Sequence, residues 1–147
     1  MENISEIQIT YVPKRTKGVK LPSITTTYDC EKYFRSIWSD KMNYIEEMYM
    51  LLLNRANMVL GYTKISMGGT SSTVVDPKII FQTALKAHAS AIILAHNHPS
   101  GSAKPSQQDL KLTRRIFEGG NILEITLLDH IIITSEGYFS FADDGLL

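Results

Sequence analysis

Apolar and polar positions in this chain fall into short blocks whose period switches between two and nearly four. Residues 6–12, EIQITYV, alternate loosely, which predicts a strand that Pro13 would end. Tyr33, Phe34, Ile37 and Trp38 recur at helical spacing, predicting a helix over residues 28–38 with Asp29 as its cap. An aromatic stripe of that kind is expected to pack on a sheet. Residues 45–53, IEEMYMLLL, are apolar after two carboxylates and read as a buried strand. Residues 54–57 then signal a hairpin loop, and residues 58–66 a return strand. Gly68, Gly69 and the small polar residues 70–73 read as a loop.

The second half interleaves helix and strand. Asp76-Pro77 marks a helix start, with Ile80, Ala84, Leu85 and Ala87 as its apolar face and an end near Ala89. His88 on this helix is expected to be packed or half-exposed rather than a ligand. Residues 91–95 form a short apolar run that reads as a buried strand. A helix over residues 106–117 follows, with Leu110, Thr113, Ile116 and Phe117 on one side and Lys111, Arg114 and Arg115 on the other. Gly119-Gly120 is expected to stop it. Residues 122–134 supply a strand or two, and residues 138–141 a last short one. The expected class is α/β, a mixed β-sheet flanked by helices.

At 147 residues the chain is most simply one domain. A formal net charge of zero argues against a protein whose main work is to hold nucleic acid. Lys14, Arg15, Lys17 and Lys20 cluster around Gly18 and read as a solvated loop. Cys30 is the single cysteine, so no disulfide framework or thiolate cluster is expected. The first residues lack the pattern of a signal peptide, and no run is long enough to span a bilayer. A cytoplasmic location is the expectation, and the oligomeric state is left open.

The chemistry concentrates between Ala91 and Asp109. In an extended chain His96 and His98 project to the same side, while Asn97 points to the other and reads as structural. Pro99, Ser100 and Gly101 turn the chain, and Asp109 falls in the first turn of the next helix, where it can fold back toward the imidazoles. Two His and one Asp leave a fourth tetrahedral position open for water, the pattern of a catalytic Zn²⁺. Ser106 and Asp109 alone would also suit a capping box, and the serine can serve both purposes. The letters HNH do not make the nuclease of that name, whose residues are dispersed.

His-x-His-Pro, then Ser106 and Asp109, resembles the motif of the JAMM (JAB1/MPN) metalloproteases. The string HNHPSG, with DLKLTRRIFEGG and LLDHIII after it, resembles the RadC-like branch of that superfamily. The match covers about residues 44–147, with residues 1–43 adding a strand, a basic loop and a packing helix to the same domain. The resemblance implies a cytidine-deaminase-like JAB/MPN sandwich and a zinc-dependent hydrolase of peptide, isopeptide or other amide bonds. It implies His96, His98 and Asp109 as metal ligands and Ser106 as the group that steadies the oxyanion. It also implies an upstream glutamate as base. The RadC-like pattern sets that glutamate eight positions before an Asp or Asn, so Asn54 selects Glu46, with Glu47 as the fallback. Asp129-His130 also belongs to the pattern and reads as a structural hydrogen-bonded pair near the site. Two rival roles stay open: a metal-stabilised module without catalysis, and a DNA-repair role through binding or nuclease-like chemistry. The longer relatives' helix-hairpin-helix region has no match here, and the zero net charge also weighs against tight DNA binding. The basic face Lys111, Arg114 and Arg115 keeps the DNA role open.

Overall fold

The computed structural model describes residues 4–8, 10–14, 16–68 and 74–147. Helix α1 is Thr27–Ile37, strand β1 is Glu47–Leu53 and strand β2 is Val59–Met67. Helix α2, Pro77–Lys86, precedes strand β3, Ala91–Asn97. Helix α3, Gln107–Leu123, leads to strands β4, Thr126–Ile133, and β5, Tyr138–Ser140. The five strands lie in the order β2-β1-β3-β4-β5. Only β3 and β4 run parallel, joined by α3; the other pairs are antiparallel. This is the mixed α/β sheet that the alternation of elements predicts.

Both faces of the central strands are covered, which is why β1 and β3 are buried along their whole length and carry continuous apolar runs rather than alternating. On one face Tyr49, Leu51 and Leu53 join Ile93, Ala95, Ile131 and Ile133 against Cys30 and Phe34 of α1. On the other, Met48, Met50 and Leu52 join Ile92, Leu94 and Leu127 against Ile80 and Ala84 of α2 and Ile116 of α3. The β1–β2 hairpin is closed by Asn54, whose Oδ1 accepts from the amides of Ala56 and Met58 at 2.9 and 3.0 Å. Asp76 caps α2 through the Lys78 amide at 2.9 Å, with Pro77 at the first helical position.

Several boundaries differ from the sequence expectation. The described part of residues 6–12 forms no strand and is exposed, because its alternating apolar side chains meet no sheet edge. The cap of α1 is Thr26; Asp29 stands three positions later and closes the box by accepting from the Thr26 amide at 3.0 Å. Helix α2 ends at Lys86, leaving Leu85 and His88 exposed, and His88 turns the chain with φ 55° beside Tyr11. Helix α3 runs straight through Gly119-Gly120 and stops at Glu124, in the left-handed region. Those glycines are contact points: a Cβ on Gly120 would come within 2.2 Å of the Ile125 carbonyl oxygen, and one on Gly119 within 2.9 Å of the Phe81 ring. Residues 122–134 therefore give one strand, with Ile122 still helical. Residues 69–73 of the expected glycine loop, and Arg15 of the basic cluster, lie outside the described residues. No helix among the described residues is long and apolar enough to cross a membrane.

Candidate metal centre

Strand β3 continues two residues past its apolar run, so His96 follows Ile92 and Leu94 onto the face covered by α2 and α3. His98 leaves the strand with its amide held by the Ile133 carbonyl at 3.2 Å. Gly101, at φ 86°, makes the turn that follows, and its amide returns to the His98 carbonyl at 3.0 Å. The two imidazoles meet edge to edge, with Nε2 atoms 2.9 Å apart. His98 Nδ1 lies 2.8 Å from the Ser102 carbonyl oxygen. A carbonyl can only accept, so Nδ1 carries the proton and a neutral His98 turns the lone pair of Nε2 into the cleft.

Asp109 closes the third side. Its Oδ1 is 3.2 Å from His96 Nε2 and its Oδ2 3.3 Å from His98 Nε2. The same carboxylate belongs to the N-terminal cap of α3. Oδ2 accepts from the Ser106 amide at 2.7 Å, and the Ser106 hydroxyl accepts from the Asp109 amide at 3.1 Å. Burial pushes the Asp109 carboxyl upward, but its contacts with His96 and His98 overcome this and hold it well below the usual carboxylate range. The Asp109 carboxylate in turn raises the His98 imidazole, against the opposing effect of burial.

Two Nε2 atoms 2.9 Å apart, with Asp109 Oδ1 3.2 Å from one and Oδ2 3.3 Å from the other, suit one small cation. Tetrahedral zinc, with bonds of about 2.0–2.1 Å, sets its ligand atoms about 3.3–3.4 Å apart. Glu46, His96 and His98 also present ligand atoms within 4.8 Å of one another. The nearest approach of Glu46, Oε1 to His98 Nε2, is 3.9 Å, longer than that of Asp109. Glu46 thus stands beside His96, His98 and Asp109 in the same cleft.

The two candidate glutamates separate cleanly. Met48 pairs with His96 in the β1–β3 register, so Glu46, two residues earlier, shares the histidine face. Glu47 is turned away and is held by Ser39 and Lys64. Asn97 fixes this choice. Its Oδ1 accepts from the Glu47 amide at 2.7 Å, and its Nδ2 donates to the carbonyls of Met42 and Ile45 at 2.8 Å each. One buried amide side chain therefore brackets Glu46 on both sides and ties it to the end of β3.

Asp129 and His130 do not pair side chain to side chain, as the sequence suggests. Consecutive strand residues face opposite ways: Asp129 accepts from Ser140 Oγ at 2.6 Å and the Ala142 amide at 3.0 Å on the α1 face. Its one link to His130 is through the His130 backbone amide, at 2.7 Å. His130 lies behind the cleft, with Nε2 2.7 Å from His96 Nδ1 and Nδ1 2.6 Å from Thr113 Oγ1. Complete burial pushes its imidazole well below the ordinary value, as does the neighbouring His96. The sequence places His130 near the site but not its link to His96, and it gives Thr113 no part in the site. The available signal was Thr113 four positions after Asp109, on the same helix face.

The cleft over these groups has a volume of about 750 Å³. Met48, Val74 and Val75 give it an apolar wall, and Lys111 and Arg115 of α3 a cationic one. Arg114 turns away toward Glu118, at 3.8 Å. Ser106 lines the same cleft.

A family model described as RadC-like JAB domain matches residues 24–146. A UPF0758 protein of Flavobacterium johnsoniae is 39% identical over 128 residues, which is 87% of this chain and 55% of that protein. A UPF0758 protein of Porphyromonas gingivalis is 50% identical over 103 residues, 69% of this chain and 45% of that one. The chain spans about half the length of the curated relatives it matches. A match over most of the chain, with relatives at this identity and the sheet and helices just described, makes it a member of the RadC-like JAB domain family.

Proposed function

We propose that this domain is a zinc-dependent hydrolase of the JAMM type, cleaving a peptide, isopeptide or other amide bond. The observation that carries the proposal is the convergence of His96 Nε2, His98 Nε2 and the Asp109 carboxylate within 3.3 Å, with Glu46 standing 3.9 Å away. His96, His98 and Asp109 would hold the ion. Bound zinc supplies a Lewis acid and lowers the pKa of its water to about 7. Glu46 takes the proton of the attacking water and returns it to the leaving amine, a service worth about 10²- to 10⁴-fold in rate. Asn97 keeps that carboxylate at its station. Ser106 Oγ spends a lone pair on the Asp109 amide, which leaves its own proton to donate to the developing oxyanion. Val74, Val75 and Met48 offer the substrate an apolar surface beside the scissile bond.

The test is metal content followed by turnover. Purified protein should hold about one equivalent of zinc per chain, as an open three-ligand site requires. His96→Ala should lose it, and Glu46→Gln should keep it while losing hydrolysis of a cleavable peptide or isopeptide found by unbiased screening. Wild-type protein that holds no zinc overturns the reading. A Glu46→Gln variant with unchanged activity and unchanged metal content would favour a metal-stabilised scaffold.

A second reading follows from Lys111 and Arg115, two cations that line the cleft itself. They would suit phosphates and a DNA-associated role. Binding to single- and double-stranded DNA across a salt series decides it: affinity that does not change with salt, or none, removes this reading.

A further inference from the structure

The metal ligands His96 and Asp109 are linked a second time, behind the cleft, by groups that never reach it. Thr113 Oγ1 lies 2.7 Å from the Asp109 carbonyl oxygen and 2.6 Å from His130 Nδ1. His130 Nε2 lies 2.7 Å from His96 Nδ1. Thr113 is 1% exposed and His130 wholly buried, so these bonds are shielded from bulk solvent.

We propose that Thr113 and His130 form a one-way hydrogen-bond relay that fixes the tautomer of His96 and aims its Nε2 lone pair at the metal. The direction follows from counting protons. The Asp109 carbonyl has none to give, so the single hydroxyl proton of Thr113 goes to it. Thr113 Oγ1 then meets His130 as an acceptor, and His130 Nδ1 must carry the hydrogen. A neutral ring protonated at Nδ1 has its lone pair at Nε2, so the bond to His96 is donated by His96 Nδ1. His96 is left with its lone pair on Nε2, the atom 2.9 Å from His98 Nε2 and 3.2 Å from Asp109.

His98 reaches the same state by a shorter route, one backbone carbonyl of the loop that follows it. His96 Nδ1 meets His130 instead, and the relay imports a carbonyl from α3. The imported carbonyl belongs to Asp109, so one ligand's backbone orders the other ligand's ring. With both rings neutral, two Nε2 lone pairs and a carboxylate then converge on the place a cation would take. Thr113 and His130 are therefore positioning residues, acting through His96 and touching neither substrate nor metal.

This inference rests on the proposed metal site, and the experiment separates the two. In the full chain labelled with ¹⁵N-histidine, long-range ¹H–¹⁵N correlation reads each ring's tautomer, both zinc-loaded and after chelator treatment. His130 should be the Nδ1–H form in both states, and His96 the Nδ1–H form before zinc is added. A wild-type His130 protonated at Nε2 overturns the relay whether or not zinc binds. Zinc titration against a competing chelator reads the site itself. Thr113→Val keeps the shape and removes the hydroxyl; zinc affinity should fall about 10- to 100-fold, the usual loss for an outer partner of a ligating histidine. Thr113→Ser should recover most of that affinity and the wild-type tautomers. Wild-type affinity in Thr113→Val, or a Thr113→Ser variant as weak as Thr113→Val, overturns the relay in favour of packing alone.

Discussion

Ser106 and Asp109 answer two structural needs with the same atoms. Helix α3 needs its first amides satisfied, and the cleft needs a carboxylate. The reciprocal bonds, Ser106 N–H to Asp109 Oδ2 at 2.7 Å and Asp109 N–H to Ser106 Oγ at 3.1 Å, meet the first need. They also lock the Asp109 rotamer, which leaves Oδ1 and Oδ2 facing the two imidazoles. Ser106→Ala should therefore cost about 1 kcal/mol of stability, within the usual range for an N-cap. At this size that is about 2–4 °C in Tm. The same variant should weaken zinc retention, because Asp109 gains rotamer freedom, and Ser106→Thr should recover both. Calorimetry with chelator competition measures the pair; loss of stability with unchanged metal affinity would show that the cap does not hold the ligand. The grouping of His96, His98 and Asp109 was legible in the sequence because its spacing is local: two residues apart on a strand, then the first turn of the next helix. The contacts of His130 were not, since its partners Thr113 and His96 lie 17 and 34 positions away and only parallel pairing of β3 with β4 brings them together.

At the scale of elements, helix α3 is held against the sheet by what it lacks. Glycines in a helix usually read as an end, and Gly119-Gly120 does so in this sequence. The helix instead continues to Leu123 because the chain must pass close by: Ile125 returns its amide to the Gly120 carbonyl at 2.8 Å. An alanine at an open helical position would stabilise by up to about 1 kcal/mol. Gly120→Ala should reverse that sign, because its Cβ would meet backbone at 2.2 Å, and overpacking of this kind costs typically about 1–3 kcal/mol. Gly119→Ala should be milder, since its neighbour is the Phe81 ring, which can turn. Urea midpoints of the two variants check the order. Strand β4 makes a second testable demand. Burial raises the Asp129 carboxyl above its ordinary value, in spite of hydrogen bonds from Ser140, Ala142 and His130. The folded state then binds more protons than the unfolded one between the ordinary and the raised value, so this residue's contribution weakens as pH rises through that window. Asp129→Asn, which keeps an acceptor for the two amides, should lose that dependence. Relative to wild type it should gain stability from about pH 4 upward, where the unfolded carboxyl begins to ionise. Parallel stability curves for the two proteins would contradict the assignment.

For the whole molecule, the sheet works as a partition. Its two faces carry separate cores, one against α1 and one against α2 and α3. The side chains that back His96 lie on the second, where His96 follows Leu94, His130 pairs with Leu94 in register and Thr113 shares α3 with Ile116, whereas Asn97, which brackets Glu46, points to the first. The unbroken apolar runs in β1 and β3 made the two-faced burial readable from the sequence, but not which helix covers which face, because that depends on the crossover through α3. The partition predicts a difference between two matched deletions. Leu51 and Leu94 are each fully buried, on adjacent strands and opposite faces. Leu51→Ala and Leu94→Ala should each cost about 2–5 kcal/mol, as core leucine truncations do. Interiors are close-packed and pass strain to their immediate neighbours. A cavity at Leu94 opens beside His130 and the strand end that carries His96, whereas one at Leu51 opens toward α1. Zinc affinity measured well below both unfolding midpoints should therefore drop in Leu94→Ala and stay close to wild type in Leu51→Ala. Equal losses of affinity would mean that the site reads global stability, and that the sheet does not insulate it.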